Sequence, residues 1–286
     1  VKAVRDALVK LPPNYMKSLA NKDCSIQEAI ANNSSGKSLA WATQDKYFTM
    51  FRQFLLWMAD EGYIEKAPGP GVKIAGPGKS ASERRKPYSQ SQLKAIFSSP
   101  LYTGHESGAK RWKPGTQVVR DGKFWVPVIA LFTGMRMGEI VQLQPSDLKR
   151  EDGVWFFDLA EGEGKTFKTK SSLRRIPIHS QLLRMGILGL GESAEGKDRL
   201  FSDIEKGSDG YFSHNFSKFW GRYARNAGFG APSTSFHSFR HNFVDALRAV
   251  ALPQYVNEAL LGHAAITVHG SYGSTSGLKQ LRKGVD

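Results

Sequence analysis

Two stretches of this 286-residue chain place arginine and histidine where they can bind a phosphate group. The first reads TGMRMGEI, and its Arg136 stands between glycines that allow a turn and a close backbone approach. The second reads HSFRH, and its three-residue spacing puts His237 and Arg240 on one face of a helix. A guanidinium is always charged and donates paired hydrogen bonds to phosphate oxygens, so two arginines suit the binding of an oxyanion.

Two further stretches add a basic turn and a tyrosine. FKTKSSLRRIPI, residues 167–178, has the pattern of a basic β-hairpin whose lysines suit contact with a DNA backbone or the donation of a proton. The segment LLGH, ending at His263, is followed nine residues later by Tyr272 among Gly and Ser. A tyrosine hydroxyl titrates near pH 10 in water, so it needs cationic neighbours and a base to attack a phosphate at neutral pH.

Two other chemistries fit the sequence less well. His237, His241 and Asp245 have the spacing of metal ligands, but no Glu stands between the histidines and Arg240 would oppose a cation. ANNSSGKS, residues 31–38, loosely fits a phosphate-binding loop, yet no hydrophobic strand precedes it. We therefore predict no metal and no nucleotide-binding loop, and a metal hydrolase stays an alternative hypothesis.

Composition favours a polyanionic partner. Forty Lys and Arg against 26 Asp and Glu give a net charge of +14 and a pI near 9.8, and both 1–86 and 87–286 are basic. The single cysteine, Cys24, excludes an intramolecular disulfide and a Cys-based zinc site, and we expect it to be buried. No apolar run has the length of a membrane span and no signal peptide is visible, so we expect a cytoplasmic protein. Because the chain begins at Val1 rather than Met, we expect its natural start to lie upstream.

Hydrophobic periodicity predicts two domains. Apolar residues at helical spacing over 38–61 indicate a long amphipathic helix, and a shorter helix is expected over 25–32. Residues 67–82 are rich in Pro, Gly and Ser, which is typical of an interdomain linker. The predicted domains are therefore 1–82 and 83–286.

The second domain is predicted to be mainly α with a small antiparallel β-sheet (α+β). A capping box at Ser89 begins a helix that ends near Phe97, and a buried helix over 125–133 ends at Gly134. Residues 154–159 and 174–178 have the composition of strands. Further helices are expected over 213–226, 238–249 and 253–261.

In motif order, residues 87–286 resemble the tyrosine recombinases, or phage integrase family. TGMRMGEI resembles the first arginine motif of that family, FKTKSSLRRIPI its lysine hairpin and HSFRH its His-x-x-Arg motif. LLGHAAITVHGSY resembles its Leu-Gly-His and nucleophile segment, including the spacing. Residues 1–66 resemble its helical core-binding domain in pattern. The resemblance implies a helical core-binding domain followed by a catalytic domain.

The resemblance also implies a role for each residue. Tyr272 is the nucleophile that forms a 3′-phosphotyrosyl link, and Glu139 supports the first arginine. The candidate general acid is Lys168, with Lys170 as its competitor. The residues expected to line the phosphate are Arg136, Arg240, His237 as the candidate base, and His263. The residues expected to bind DNA elsewhere are Lys170, Arg174, Arg84 and Arg85.

The implied activity is site-specific DNA recombination on behalf of a phage or other mobile element, without a cofactor. The implied partners are double-stranded DNA, a homotetramer assembled on it and an accessory DNA-bending protein, with no membrane. The tail over 276–286 is expected either to pack on a neighbouring protomer or to fray. The alternatives are a type IB topoisomerase and a catalytically inactive DNA-binding module.

Overall fold

The computed structural model of the chain describes residues 1–17, 23–76, 86–250, 252–262 and 277–286. The chain divides into two compact units, Val1–Ser80 and Ala81–Asp286. This division lies within two residues of the predicted boundary, whereas the functions expected of the two domains stay predictions. None of the helices in the described ranges is long and apolar enough to cross a bilayer.

In the described residues of unit 1, the regular secondary structure is helical. The helices are α1 (Lys2–Lys10), α2 (Ile26–Ala31) and α3 (Trp41–Asp60), with a short 3-10 turn at Tyr15–Lys17. The predicted helix over 38–61 is confirmed as α3, and α1 is an addition that packs against it. α2 begins where predicted because the Ser25 hydroxyl accepts a hydrogen bond from the Glu28 amide, and the Glu28 carboxylate accepts one from the Ser25 amide. Cys24 is half-buried, so the expectation of a buried thiol was wrong.

Unit 2 begins with four helices in its described residues. They are α4 (Gln90–Phe97), α5 (Pro100–Thr103), α6 (Gly122–Thr133) and α7 (Met137–Val141). The capping box at Ser89 is confirmed, with Gln92 as its partner. Most of α6 is buried, and it ends where Gly134 adopts a left-handed conformation with φ of 61°. The side chain of Phe243 packs where a Cβ at Gly134 would lie, so this turn requires glycine.

The sheet of unit 2 is antiparallel, as predicted, with the order β1-β2-β3 among the described residues. Its strands are β1 (Leu148–Glu151), β2 (Val154–Leu159) and β3 (Arg174–Pro177). β1 was not predicted, and it joins β2 through a two-residue turn at Asp152 and Gly153. The predicted basic hairpin over 167–178 was wrong in outline. β3 pairs with β2 instead, and Lys168 and Lys170 lie in a connection over 160–173 that contains a 3-10 turn at Lys170–Ser172, whereas Arg174 and Arg175 belong to β3.

The remaining helices complete unit 2. α10 (Phe212–Asn226), α11 (Ser238–Ala249) and α12 (Gln254–Leu261) confirm the three predicted helices within one residue at each end. The unpredicted helices are α8 (Ser180–Arg184), α9 (Ile187–Ser193) and α13 (Leu278–Val285). α13 buries Leu278, Leu281 and Val285 and packs on β3 and α12 of its own chain. Neither expectation for the tail describes this packing, because the apolar face of α13 is covered within the same unit.

An aromatic core holds α11 against the rest of the unit. Phe236 and Phe239 pack on the ring of Trp220 from α10, with ring centroids 5.7 and 5.4 Å away. Phe243 is also buried, so three phenylalanines anchor this helix in the core. Because α6 and α11 pack side by side, the C-terminal end of α6 and the first turn of α11 meet at one place. The predicted arginines of both motifs lie there.

Candidate active site

A buried carboxylate, Glu139, joins two arginines at the start of α7. Its Oε1 accepts a hydrogen bond from Arg136 Nη1 at 2.7 Å, and its Oε2 accepts from the Arg136 backbone amide at 2.9 Å. Arg174 Nη2 donates to the same Oε2 at 2.9 Å. The side chains of Arg174 and Glu139 are 5% and 6% exposed, whereas that of Arg136 is 30% exposed. Glu139 therefore holds the partly exposed Arg136 and also neutralises a second, buried arginine, and its supporting role in catalysis stays a prediction.

Arg240 ties together the ends of two helices. Its Nη1 donates to the Gly134 carbonyl at 2.7 Å, and its Nη2 donates to the Leu261 carbonyl at 2.6 Å. These carbonyls belong to the last turns of α6 and α12, where backbone oxygens lack helical partners and carry partial negative charge. Arg174 also binds the last turn of α12, because its Nε donates a hydrogen bond to the Leu260 carbonyl at 2.9 Å. The two arginines thus fix the end of α12, after which His263 follows.

Positive charge exceeds negative charge at this place. Burial, followed by the charges of Arg136 and Arg174, lowers the pKa of Arg240 to about 10, and Glu139 opposes this shift. Burial alone would raise the pKa of the Glu139 carboxyl, but the charge and hydrogen bonds of Arg174 and those of Arg136 bring it below 4.5. Glu139 is therefore ionised at neutral pH. Three guanidiniums and one carboxylate leave two net positive charges, which an anion can compensate.

The two candidate lysines lie differently with respect to Arg136. Lys168 and Arg136 line one cleft of about 580 Å³, and Lys170 is not among the residues that line it. Lys170 begins the 3-10 turn that carries Ser172, whose hydroxyl accepts a hydrogen bond from Arg136 Nη1 at 3.4 Å. Both lysines are exposed. The shared cleft favours Lys168 as the proton donor, and the choice between the two stays a prediction.

His237 lies near the segment that carries Arg136. It precedes α11 directly and lines a cavity of about 150 Å³ together with Met135 and Met137, the two neighbours of Arg136 in sequence. The rings of His237 and His241 meet edge to face with centroids 5.0 Å apart. Across the described ranges, no three His, Cys, Asp or Glu side chains are grouped so that they could hold a metal ion. His237, His241 and Asp245 are all described, so these three do not form a metal site.

Arg174 has a buried side chain and does not lie on the surface, where a DNA contact would require it. It was expected to contact DNA, but its side chain points into the protein and is held by Glu139, the Leu260 carbonyl and the Ser172 carbonyl. Strand alternation carries the signal that was missed, since Arg174 shares a face of β3 with the buried Ile176. Arg175 points the other way and pairs with the exposed Glu151.

Four of the predicted residues fall outside the described part of the chain. These are Tyr272, His263, Arg84 and Arg85, and their roles stay predictions. The residues that the structure does bring to one neighbourhood are Arg136, Glu139, Lys168, Arg174, His237 and Arg240.

The chain is similar to known proteins in sequence and in fold. Residues 124–276 match the sequence model of the phage integrase family. A protein described as "Tyrosine recombinase XerC-like" from Caldanaerobacter subterraneus subsp. tengcongensis is 26% identical over 248 residues, which cover 76% of this chain and 58% of that protein. The chain thus spans little more than half the length of this curated relative.

Two solved structures show a similar fold. The Tn1549 transposon integrase in complex with a circular intermediate DNA superposes with a TM-score of 0.57 at 16% identity, covering 95% of this chain and 85% of that one. The XerH site-specific recombinase bound to its difH substrate gives a TM-score of 0.52 at 18% identity, covering 84% and 64%. At these identities the likeness concerns the fold.

Proposed function

The chain belongs to the phage integrase family, whose sequence model covers more than half of it, and from this premise we propose that it is a site-specific DNA recombinase. The observation that carries the proposal is the cluster of Arg136, Arg174 and Arg240 around the single carboxylate of Glu139. Attack on a phosphodiester concentrates negative charge on the non-bridging oxygens. A rigid site with surplus positive charge stabilises that charge in the way a metal ion would.

In the proposed reaction the hydroxyl of Tyr272 attacks the scissile phosphorus. His237 takes the hydroxyl proton, and a bond forms between the tyrosine oxygen and phosphorus. The bond from phosphorus to the 5′ oxygen breaks, and Lys168 gives that oxygen a proton, so the products are a 3′-phosphotyrosyl link and a free 5′ hydroxyl. Attack by another 5′ hydroxyl reverses these steps and rejoins a strand. No external energy source is needed, because the phosphotyrosyl link is itself a phosphodiester and retains the energy of the cleaved bond.

Arg136 and Arg240 have separate tasks in this proposal. Arg136 is partly exposed and held from behind by Glu139, so its free donors face a phosphate. Arg240 is 5% exposed and already donates to two helix-terminal carbonyls. Burial first, and then the like charges of Arg136 and Arg174, lower its pKa, and a bound phosphate relieves the repulsion between these charges.

The proposed substrate is double-stranded DNA, bound by both basic units and therefore with strongly salt-dependent affinity. The solved relatives with a similar fold are described as complexes with DNA, one from a transposon, which supports a mobile-element origin. We further propose assembly of a homotetramer on the DNA, assistance from a DNA-bending protein and a cytoplasmic location, where the substrate is found. These three points rest on family membership alone.

Covalent trapping tests the proposal. A binding sequence is first selected from a pool of random duplexes and is then built into suicide duplexes nicked near each candidate cleavage position. We expect a protein–DNA adduct that forms in the presence of a chelator and withstands denaturant. A protein that binds the selected duplex but never forms an adduct would be the inactive DNA-binding module, and relaxation of any supercoiled plasmid without site preference would indicate a topoisomerase.

A further inference from the structure

The cleft beside Arg136 has a second wall that the proposed reaction does not use. Its lining comes from two parts of the chain: the first contains Arg136, Gln142 and Lys168, and the second, which we call the second wall, contains Lys206, Tyr211 and Phe212. Its volume of about 580 Å³ falls within the range of about 300–1,000 Å³ that is usual for pockets holding one small ligand. The part of a ligand that lies next to the bound phosphate therefore contacts the second wall.

Tyr211 stands at this cleft on a rigid turn. Its side chain is 55% exposed, although its backbone is held tightly. The Tyr211 amide donates to Asp209 Oδ1 at 3.0 Å, and its carbonyl accepts from the Gly207 amide at 3.0 Å. The other oxygen of Asp209 pairs with His214 Nδ1 at 2.8 Å, which fastens the turn to the first turn of α10. An exposed ring on a fixed backbone loses little conformational freedom when a flat ligand stacks on it.

Two basic side chains stack on an aromatic ring of the second wall. Lys206 Nζ lies 5.1 Å from the centre of the Phe212 ring, and the Arg199 guanidinium lies 3.7 Å from it. Stacked cations and rings of this kind hold a lysine in place next to Tyr211. A positively charged groove with an exposed aromatic ring is the combination that binds an unstacked nucleotide, since the phosphate meets the charge and the base meets the ring.

The cleft is also lined by a buried donor that has no partner among the described residues. Gln142 is 6% exposed, and its Oε1 accepts a hydrogen bond from the Thr166 amide at 3.0 Å, which fixes the orientation of the side-chain amide. The Gln142 Nε2 group has no hydrogen-bond partner among the residues that the structure describes. A buried polar group is nearly always satisfied, so an unpaired donor in a residue that lines the cleft is an unusual feature.

From these observations we propose that the cleft holds one nucleotide of the DNA substrate, with its base unstacked from the duplex and lying on Tyr211. The inference rests on the proposed function, because Arg136 and Lys168 place the scissile phosphate at the edge of the cleft. Lys168 protonates the leaving 5′ oxygen, so the nucleotide in the cleft is the one that carries this oxygen. Tyr211 is then a positioning residue that keeps the free 5′ hydroxyl near the phosphotyrosyl link, and Lys206 contacts the next phosphate.

The test compares suicide duplexes that differ by one base. One has all its bases, and the other is abasic at the nucleotide that carries the leaving 5′ oxygen, immediately on the 3′ side of the cleaved bond. Removal of a stacking ring typically weakens base binding about 5- to 150-fold. We expect Tyr211→Ala to slow adduct formation by such a factor on the intact duplex and to equal the wild type on the abasic duplex. Tyr211→Phe retains the ring and is expected to stay within about twofold of the wild type on both.

Tyr255→Ala is the matched control, since Tyr255 is an exposed tyrosine of the same unit on α12 that does not line the cleft. We expect it to behave as the wild type on both duplexes. Equal rates for Tyr211→Ala and wild type on the intact duplex overturn the inference, and so does an undiminished effect of Tyr211→Ala on the abasic duplex. A wild-type protein that forms no adduct on any duplex refutes the proposed function, and the nucleotide assignment falls with it.

Discussion

Replacement of Glu139 by Gln tests whether the arginines of the site depend on one carboxylate. The change keeps the size of the side chain and removes its charge. The Arg174 guanidinium, 5% exposed, then loses the one carboxylate it pairs with in the described structure. Arg136 loses the partner that orients it, although solvent can compensate its charge in part because its side chain is 30% exposed.

The size of the effect follows from this burial. Removal of one partner from a buried ion pair typically costs about 3–5 kcal/mol. For a unit with the size of unit 2, each kcal/mol lowers the melting temperature by about 2–4 °C. We therefore expect the melting transition of unit 2 to fall by about 6–20 °C. Adduct formation is expected to slow as well, because Arg136 is no longer held in one orientation.

The assay is scanning calorimetry of the full chain, in which the transition of unit 1 serves as an internal reference. Glu151→Gln is the matched control, since it removes a carboxylate from an exposed pair with Arg175, whose side chains are 49% and 51% exposed. Exposed pairs contribute about 0–1 kcal/mol, so this variant should melt close to the wild type. A Glu139→Gln variant that melts as high as Glu151→Gln would refute the reasoning.

The pH dependence gives an independent check on the same carboxylate. The pKa of Glu139 is lower in the folded protein than its ordinary value of 4.5, so its ionised form stabilises the fold. That stabilisation is fully present above pH 4.5 and is lost as the pH falls through the lower, folded pKa. The difference between wild type and Glu139→Gln should therefore be constant near neutral pH and shrink in acid. A difference that grows in acid would contradict the assignment.

Three further predictions concern the surroundings of the site. Lys168→Ala should slow cleavage more than Lys170→Ala. A substrate with a 5′-phosphorothiolate leaving group should restore cleavage by the variant that lacks the general acid, because a thiolate leaves without a proton. Rescue of Lys170→Ala alone would reverse the assignment. Gly262→Ala should lower stability by about 1–3 kcal/mol in denaturant unfolding, because φ is +63° there and a Cβ would lie 2.7 Å from the Ser171 carbonyl oxygen; an unchanged midpoint would contradict this. Leu281→Ala should abolish the hydrogen-exchange protection of α13, since Leu281 anchors that helix on its own unit; protection equal to that of the wild type would show that the anchor lies elsewhere.

Local signals in the sequence were sufficient for most of the helices. The capping box at Ser89 and the left-handed turn at Gly134 depend on neighbours a few residues away, so their positions follow from sequence alone. The turn at Asp152 and Gly153 belongs to the same class. An Asp-Gly pair with positive φ at both residues favours a two-residue hairpin, and this signal would have revealed β1 despite its polar sequence.

Contacts between distant segments were not predictable in the same way. Arg174 is bound by Glu139 and by the Leu260 carbonyl, 35 and 86 residues away in the chain. The pattern of a basic stretch cannot distinguish an arginine that pairs inward from one that faces DNA until its strand partner is known. The rigid turn that carries Tyr211 was missed for a similar reason, because the sequence does not show that Tyr211 lines the same cleft as Arg136 and Lys168.

Mapping of the covalent bond tests the central claim most directly. The trapped adduct is digested with protease and nuclease, and the peptide that retains a nucleotide is sequenced by mass spectrometry. We predict that the nucleotide is attached through its 3′ phosphate to Tyr272, and that Tyr272→Phe yields no adduct while still binding the duplex. An adduct on another residue, or undiminished trapping with Tyr272→Phe, would contradict the account.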